Sequence, residues 1–325
     1  MSIKEIAKII LDAKKIALSF HLSPDGDAIG STLGLLNALR GLGKEAYIVS
    51  REVIPDNLSF LPLSSEIDGE IIEPTKDTDL VIVLDCGNAP RIAADLAGYD
   101  GIIINLDHHI SNENYGTYNY VESDSAATCE LVYLLTEELG YNYDEKDNEI
   151  LINIGTCIYT GLLTDTGSFR HSNVTNRTHK IAGKLISVGV KNNEIHNNLF
   201  ENRPYEKIKL IGECLSNLEL LLNNKVSFIQ IPIKLMESLN LLNVDTSDVI
   251  SMALSIKDVE VACVIKETEN SMIKGSLRSK KDVNVSKIAE ALGGGGHIKA
   301  SGFKHTNVTL SEATEIIINQ IAKEL

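Results

Sequence analysis

The sequence predicts an α/β protein: an N-terminal parallel-sheet domain, a helical connector and a smaller α/β domain after it. Three observations carry this. Short Ile/Val/Leu runs alternate with helical patterns through the first half, as βαβ units require. The 325 residues exceed what one core usually serves. After a polar helical stretch, a second and shorter alternation of strands and helices begins. The expected boundaries are 1–190 for the first domain, 191–222 for the connector and 223–325 for the second domain.

The opening MSIKEIAKIILDAKK sets Ile among Lys, Glu and Asp at helical spacing, so it reads as an amphipathic helix and not as a signal peptide. IALSFH, EAYIVS (45–50), LVIVLD (80–85) and GIIINLD (101–107) read as buried strands, each ending on a polar residue. Helices are expected over roughly 28–41, 125–139 and 145–163. From about 173 to 222 the pattern is helical and more polar, and Pro204 suits the first turn of a long helix. KVSFIQI, VEVACVIK and MIKGSLRS then read as strands, VSKIAEAL and LSEATEIIINQIAKEL as helices, with GGGGH between those helices. No long-period repeat or low-complexity tract is present.

Composition excludes several classes. A net charge of -15 argues against salt-driven gripping of a long polyanion, which needs a basic surface. Aromatic residues are 5% and Trp is absent, which disfavours stacking platforms for single strands. A small anionic substrate stays open, because carboxylates around bound divalent cations present positive charge to a phosphate. The five cysteines are odd in number and form no CxxC pair, so neither a disulfide framework nor a thiolate zinc site is expected. That fits a reducing, cytoplasmic location. The longest uncharged apolar stretch, near 150–164, is too short and polar to span a bilayer, so no membrane partner is expected.

Acids and histidines gather at four places in the first half: His21-Leu22-Ser23-Pro24-Asp25-Gly26-Asp27 after the first strand, Asp85, Asp107-His108-His109, and Asp165. Each has a bland reading, since Asp beside Gly or Pro is common in turns and caps, and Asp27 suits the N-cap of a helix from Ala28. Three of the four lie at C-terminal strand ends, which one α/β sheet brings to one edge. Carboxylates gathered there are costly unless something neutralises them. Five carboxylates with two or more imidazoles suit two divalent ions, Mn²⁺ foremost, with Mg²⁺ and Fe²⁺ as alternatives. A pair of such ions clamps the oxygens of an in-line phosphoryl displacement.

In the second domain, Gly293-Gly294-Gly295-Gly296-His297 precedes Ala300-Ser301-Gly302. The run lies inside a domain, so it reads as a backbone that approaches a phosphate or base closely and not as a linker. Arg278 in Gly275-Ser276-Leu277-Arg278-Ser279 offers a bidentate phosphate contact; beside Lys280 and Lys281 it reads equally as a solvated strand-end charge.

The ordered set His21-x-x-x-Asp25-x-Asp27, Asp85, Asp107-His108-His109 and Asp165 resembles the DHH phosphoesterases, and SLRS with GGGGH resembles their DHHA1 domain. The whole chain is most similar to the bifunctional oligoribonuclease and 3′-phosphoadenosine-5′-phosphate (PAP) phosphatase group. The resemblance implies that His21, Asp25 and Asp85 hold one metal and that Asp27, Asp85, His108 and Asp165 hold a second, with Asp85 bridging. It implies that Asp107 orients an imidazole ligand and that His109 faces the scissile phosphate. Arg278, Gly294, Gly295, Gly296, His297 and Ser301 would bind the far end of the substrate. The expected partners are short oligonucleotides or small nucleotides, with a homodimer left open. Rival readings are a phosphodiesterase for cyclic dinucleotides or pApA, a RecJ-like exonuclease, a family II pyrophosphatase and a catalytically silent nucleotide-binding module.

Overall fold

The computed structural model describes residues 1–242, 244, 246–268, 272–306 and 308–325. The chain forms two compact units, Met1–Asn202 and Arg203–Leu325. The division falls inside the stretch expected as a connector.

The first unit runs α1 (Ile3–Asp12), β1 (Lys15–Ser19), α2 (Gly26–Gly41), β2 (Glu45–Ile48), β3 (Leu80–Leu84), β4 (Ile102–Asp107), β5 (Tyr118–Val121), α3 (Thr128–Glu138), α4 (Glu149–Asp165), α5 (Asn176–Ser187) and α6 (Asn192–His196). Its five strands pair in the order β2-β1-β3-β4-β5, all parallel. The chain leaves β1 in one direction and returns through β3 in the other, so the point where strand order reverses lies between β1 and β3. Alternation along the strands builds two cores. Ile16, Leu18, Ile82 and Ile104 face the helical layer. Ala17, Val81 and Val83 face Cys86, Ile92 and Ala94, so irregular chain covers that side.

Local chemistry explains the helices. Ser2 and Glu5 form a capping box on α1, whose Ile6 and Ile10 are buried. Helix α2 is buried almost all round, as its run of Ala, Ile, Leu and Gly suggests. It lies so close to α4 that a Cβ on Gly30 would stand 2.5 Å from the Cys157 carbonyl oxygen, and one on Gly161 would stand 2.2 Å from Cys129 Sγ. Small residues at the crossing let the two backbones meet.

The second unit runs α7 (Tyr205–Ser216), β6 (Glu219–Leu221), β7 (Val226–Ile231), α8 (Ile233–Ser238), α9 (Ser247–Ser255), β8 (Val261–Glu267), β9 (Met272–Ser279), α10 (Val285–Ala291), β10 (Gly295–His297), β11 (Ala300–Thr306) and α11 (Leu310–Glu324). Its sheet has the order β10-β11-β9-β8-β7-β6, antiparallel except for the β7–β8 pair. On one face Cys263, Ile273 and Leu277 pack against α10 and α11. On the other, Ile229, Ile231, Ala262 and Val264 pack against α7, α8 and α9.

Elements absent from the sequence reading are the short or edge ones: β5, β6, the β10–β11 hairpin, α8 and α9. Strand β5 is an edge strand, half-buried throughout, with Tyr and Asn alternating, so it lacks the apolar run that marks β3. The expected helix between β3 and β4 is also absent; a 3₁₀ turn, Ala89–Arg91, stands in that connection.

Candidate metal centre

The C-terminal ends of β1, β3 and β4 carry His21, Asp85 and Asp107 to the same edge of the sheet. The first turn of α2 adds Asp27, and the last residue of α4 is Asp165. Asp85 has φ +54°, a left-handed conformation that Asp tolerates better than most residues. It turns its carboxylate off the end of β3.

Two donor sets result, His21–Asp25–Asp85 and Asp27–His108–Asp165, with donor atoms within 4.8 Å of one another in each. His21 Nε2 lies 3.5 Å from Asp85 Oδ2 and 3.9 Å from Asp25 Oδ1. His108 Nε2 lies 3.3 Å from Asp165 Oδ2, 3.6 Å from Asp85 Oδ1 and 3.8 Å from Asp27 Oδ2. The two oxygens of Asp85 thus face different imidazoles. Asp85, His108 and His109 also lie close together. His109 Nδ1, however, is committed to Asp107 Oδ1 at 2.7 Å.

Neighbouring groups fix each imidazole. His108 Nδ1 faces the Ser125 carbonyl at 3.2 Å, and His21 Nδ1 faces the Leu22 carbonyl at 2.9 Å. An N–H donated there leaves Nε2 as a lone pair toward the carboxylates, as a metal ligand needs. Asp107 is fully buried and accepts from the His108 backbone N–H at 2.9 Å as well as from His109. The imidazole it orients is therefore His109; the ring of His108 is set by Ser125. Asn112 Nδ2 donates to the other oxygen of Asp107 and, at 2.8 Å, to Asn105 Oδ1.

The capping expectation moves by one acid. Asp25, not Asp27, caps α2, accepting from the N–H groups of Asp27 at 3.0 Å and Ala28 at 3.1 Å. Asp27 is wholly buried and accepts from Thr128 N–H at 2.6 Å and Cys129 N–H at 2.9 Å. It serves the start of α3, whose own N-cap, Ala127, has no side chain to do so.

Electrostatics show what the cluster requires. Burial, then the charges of Asp85 and Asp165, holds the Asp27 carboxyl well above the usual carboxylate range. Burial likewise raises Asp165, and Asp85 and Asp25 add to this against the hydrogen bond with His108. Burial would raise Asp85 too, but hydrogen bonding with His21 and the charges of His109 and His108 bring it below the usual range. Burial opposes protonation of His108, yet Asp165, Asp27 and Asp85 overcome it and push its pKa up to about 10. Without a metal, the buried acids are held by protons. Divalent cations suit the site because they replace those protons, and the oxygen-rich donor set matches hard ions.

Residues missed by sequence reasoning surround this set: Ser125, Thr128 (Oγ1 to Asp85 Oδ1, 3.0 Å), Asn105, Asn112 and Arg177. Ser125 and Thr128 lie in SDSAATCE, a Ser/Thr cluster before a helix, which on local sequence reads as capping alone.

The second unit holds the other expected site residues. Arg278 lies on β9 opposite Ala300 of β11, and its Nη1 donates to the Leu277 carbonyl at 3.1 Å. His297 is exposed at the end of β10. Ser301 is buried, and its hydroxyl donates to the Val285 carbonyl at 2.6 Å. The glycine run is partly strand and was expected as an open loop. A Cβ on Gly294 would stand 2.1 Å from the Gly302 carbonyl oxygen, and one on Gly296 would stand 2.6 Å from Ser301 Cα. Packing on β11 therefore already requires glycine at these two positions. At Gly295 a Cβ would meet nothing within 4 Å.

Residues 15–162 match the DHH family, N-terminal domain, and residues 231–324 match the DHHA1 domain. With the carboxylate–imidazole cage at the sheet edge, this domain pair defines a metal-dependent phosphoesterase. A bifunctional oligoribonuclease and PAP phosphatase NrnA of Thermus thermophilus is 32% identical over 95% of this chain and 90% of its own. The protein of that name from Bacillus subtilis is 31% identical over 92% and 91%. The chain belongs to the DHH family of phosphoesterases. An exopolyphosphatase-related protein from Bacteroides fragilis superimposes with a TM-score of 0.89 at 28% identity, covering 99% of this chain and 95% of that one. Among the described residues, no helix is long and apolar enough to cross a membrane.

Proposed function

We propose that the chain hydrolyses short oligonucleotides and PAP with two divalent ions, Mn²⁺ foremost, held by His21, Asp25 and Asp85 and by Asp27, Asp85, His108 and Asp165. One observation carries the two-ion reading: Asp85 Oδ2 lies 3.5 Å from His21 and Oδ1 lies 3.6 Å from His108, so one buried carboxylate serves both donor sets. Bound divalent ions supply Lewis acidity and an activated water for phosphoester hydrolysis. Around them, Asp27, Asp85 and Asp165 position the charge, and the Ser125 carbonyl keeps the His108 ring in register. His109, held through Nδ1 by Asp107, is 37% exposed, so its Nε2 is available to a substrate oxygen. There it donates to the developing charge or the leaving group. Arg278, Gly294, Gly295, Gly296, His297 and Ser301 form the nucleotide-binding part of the proposal; Gly295 and His297 are the members whose placement is least occupied by packing.

The oligonucleotide and PAP substrates rest on the similarity to the Thermus and Bacillus relatives. A cytoplasmic location fits the five cysteines, all buried thiols without a disulfide. The test is a panel of RNAs of two to five nucleotides, PAP, pApA and cyclic-di-AMP, each with Mn²⁺ and with Mg²⁺. Turnover confined to pApA or cyclic-di-AMP would replace this substrate assignment. Asp85→Ala with wild-type turnover and metal content would end the two-ion reading. Light scattering of the same preparation checks for a homodimer.

A further inference from the structure

Across β8, β9 and β11, three lysines stand in one row: Lys266 opposite Lys274, and Lys274 opposite Lys304. Residues paired across antiparallel strands share a face with their Cβ atoms about 5 Å apart, and like charges there are destabilising. In a chain of net charge -15, partners for a lysine are abundant. Lys266 has one, donating to the Val244 carbonyl at 2.9 Å. Lys274 and Lys304 are both exposed and make no hydrogen bond or ion pair with any described residue. They line one cavity of about 330 Å³ with Ser276, Gly293, Gly294 and Gly302, and no acidic side chain lines it. Three of those neighbours lack a Cβ, so backbone and ammonium groups are open to the same small ligand. A paired positive charge over a glycine floor fits a phosphate.

We propose that Lys274 and Lys304 form a subsite for an internucleotide phosphate of an oligonucleotide. This rests on the proposed activity toward short oligonucleotides. Arg278 lies four residues along the same strand face, about 13 Å away at the rise of a β-strand. That separation lets Arg278 and the lysine pair contact successive phosphates of one strand. PAP carries both its phosphates on a single nucleoside and has no internucleotide phosphate to place there. The lysine pair therefore favours oligomers over mononucleotides.

The test is the double variant K274Q/K304Q, with K274R/K304R as the charge-retaining control and circular dichroism to check the fold. Binding of a fluorescein-labelled RNA pentamer is followed by anisotropy in chelator, without turnover, from 50 to 200 mM salt. Each lost phosphate contact lowers the slope of log K against log salt by about 0.7 for a single strand. Over that range wild type should therefore lose about sevenfold more affinity than the double Gln variant. In Mn²⁺ the ratio of the pentamer KM to the PAP KM should rise in the Gln variant and not in the Arg variant. An unchanged salt slope overturns the subsite, as does a PAP KM that rises as much as the pentamer KM. If wild type turns over neither substrate while the slope still falls, the lysine subsite stands and the proposed activity fails.

Discussion

Asp85 occupies the gap between two imidazoles, with a left-handed φ of +54°. Asn tolerates that backbone equally well, so Asp85→Asn isolates the charge. We expect kcat to fall by at least a hundredfold to a thousandfold, the scale of losing a main electrostatic contributor, with bound metal reduced in elemental analysis. Wild-type metal content would exclude Asp85 as a shared ligand. Arg177 acts at one remove. Its Nε donates to Glu130 Oε2 at 2.9 Å and its Nη2 to Ser125 Oγ at 2.6 Å, and the Ser125 carbonyl faces His108 Nδ1. Glu130 is fully buried, so Arg177→Ala leaves an acid without its cation. Urea denaturation should show a loss of about 3 kcal/mol, near the lower end for an unpaired buried charge because Arg177 is about a third exposed. Metal titration should show affinity weakened roughly tenfold, as for other groups that orient a ligand. Normal metal affinity in a destabilised variant would restrict Arg177 to a structural role. At this scale the acids were legible in the sequence because charged residues at strand ends stand out. Arg177 and Ser125 were not, because one acts through a neighbour and the other through its backbone carbonyl.

The crossing of α2 and α4 sets the distance between Asp27 and Asp165. A methyl on Gly161 would stand 2.2 Å from Cys129 Sγ and 2.7 Å from Asp27 Oδ1. Gly161→Ala should therefore force the helices apart and move a site carboxylate. The expected cost is about 1–3 kcal/mol in chemical denaturation, the range for an overfilled core, with a matching drop in metal affinity. Unchanged metal affinity would mean that the crossing serves packing alone. Gly183, exposed on α5 with nothing within 4 Å of a Cβ, is the matched control. The strands β1 to β4 were readable from their apolar runs, and the glycines of α2 and α4 read only as mild helix weakeners. Their purpose is a close approach between helices more than a hundred residues apart, which no local pattern encodes. The β10–β11 hairpin was hidden for a related reason: its glycines are set by backbone packing on β11, while the run by itself suggests an open loop.

For the molecule as a whole, the metal-free state should be the more pH-sensitive one. Asp27 and Asp165 have folded pKa values above their unfolded ones, so the native state binds more protons and stability falls as pH rises past the usual carboxylate range. The shift of His108 to about 10 adds stability that is complete below its unfolded value near 6.5 and is lost as pH rises through about 10. The depressed Asp85 titrates below this window. Melting of chelator-treated protein should thus decline steadily from pH 5 to pH 9, by about 2–4 °C per kcal/mol lost in a domain of this size. With Mn²⁺ in excess the decline should shrink, because the ions replace the protons. A metal-free protein with a flat profile would contradict the shared cage. The sequence by itself determined the class of fold, the DHH and DHHA1 motif order and the acids and imidazoles available, because these depend on residue type and short-range periodicity. Only the tertiary structure decided which oxygen of Asp85 faces which histidine, that Asp107 serves His109, and that Lys274 meets Lys304. Those relations depend on strand register and helix crossing, which join residues far apart in the chain.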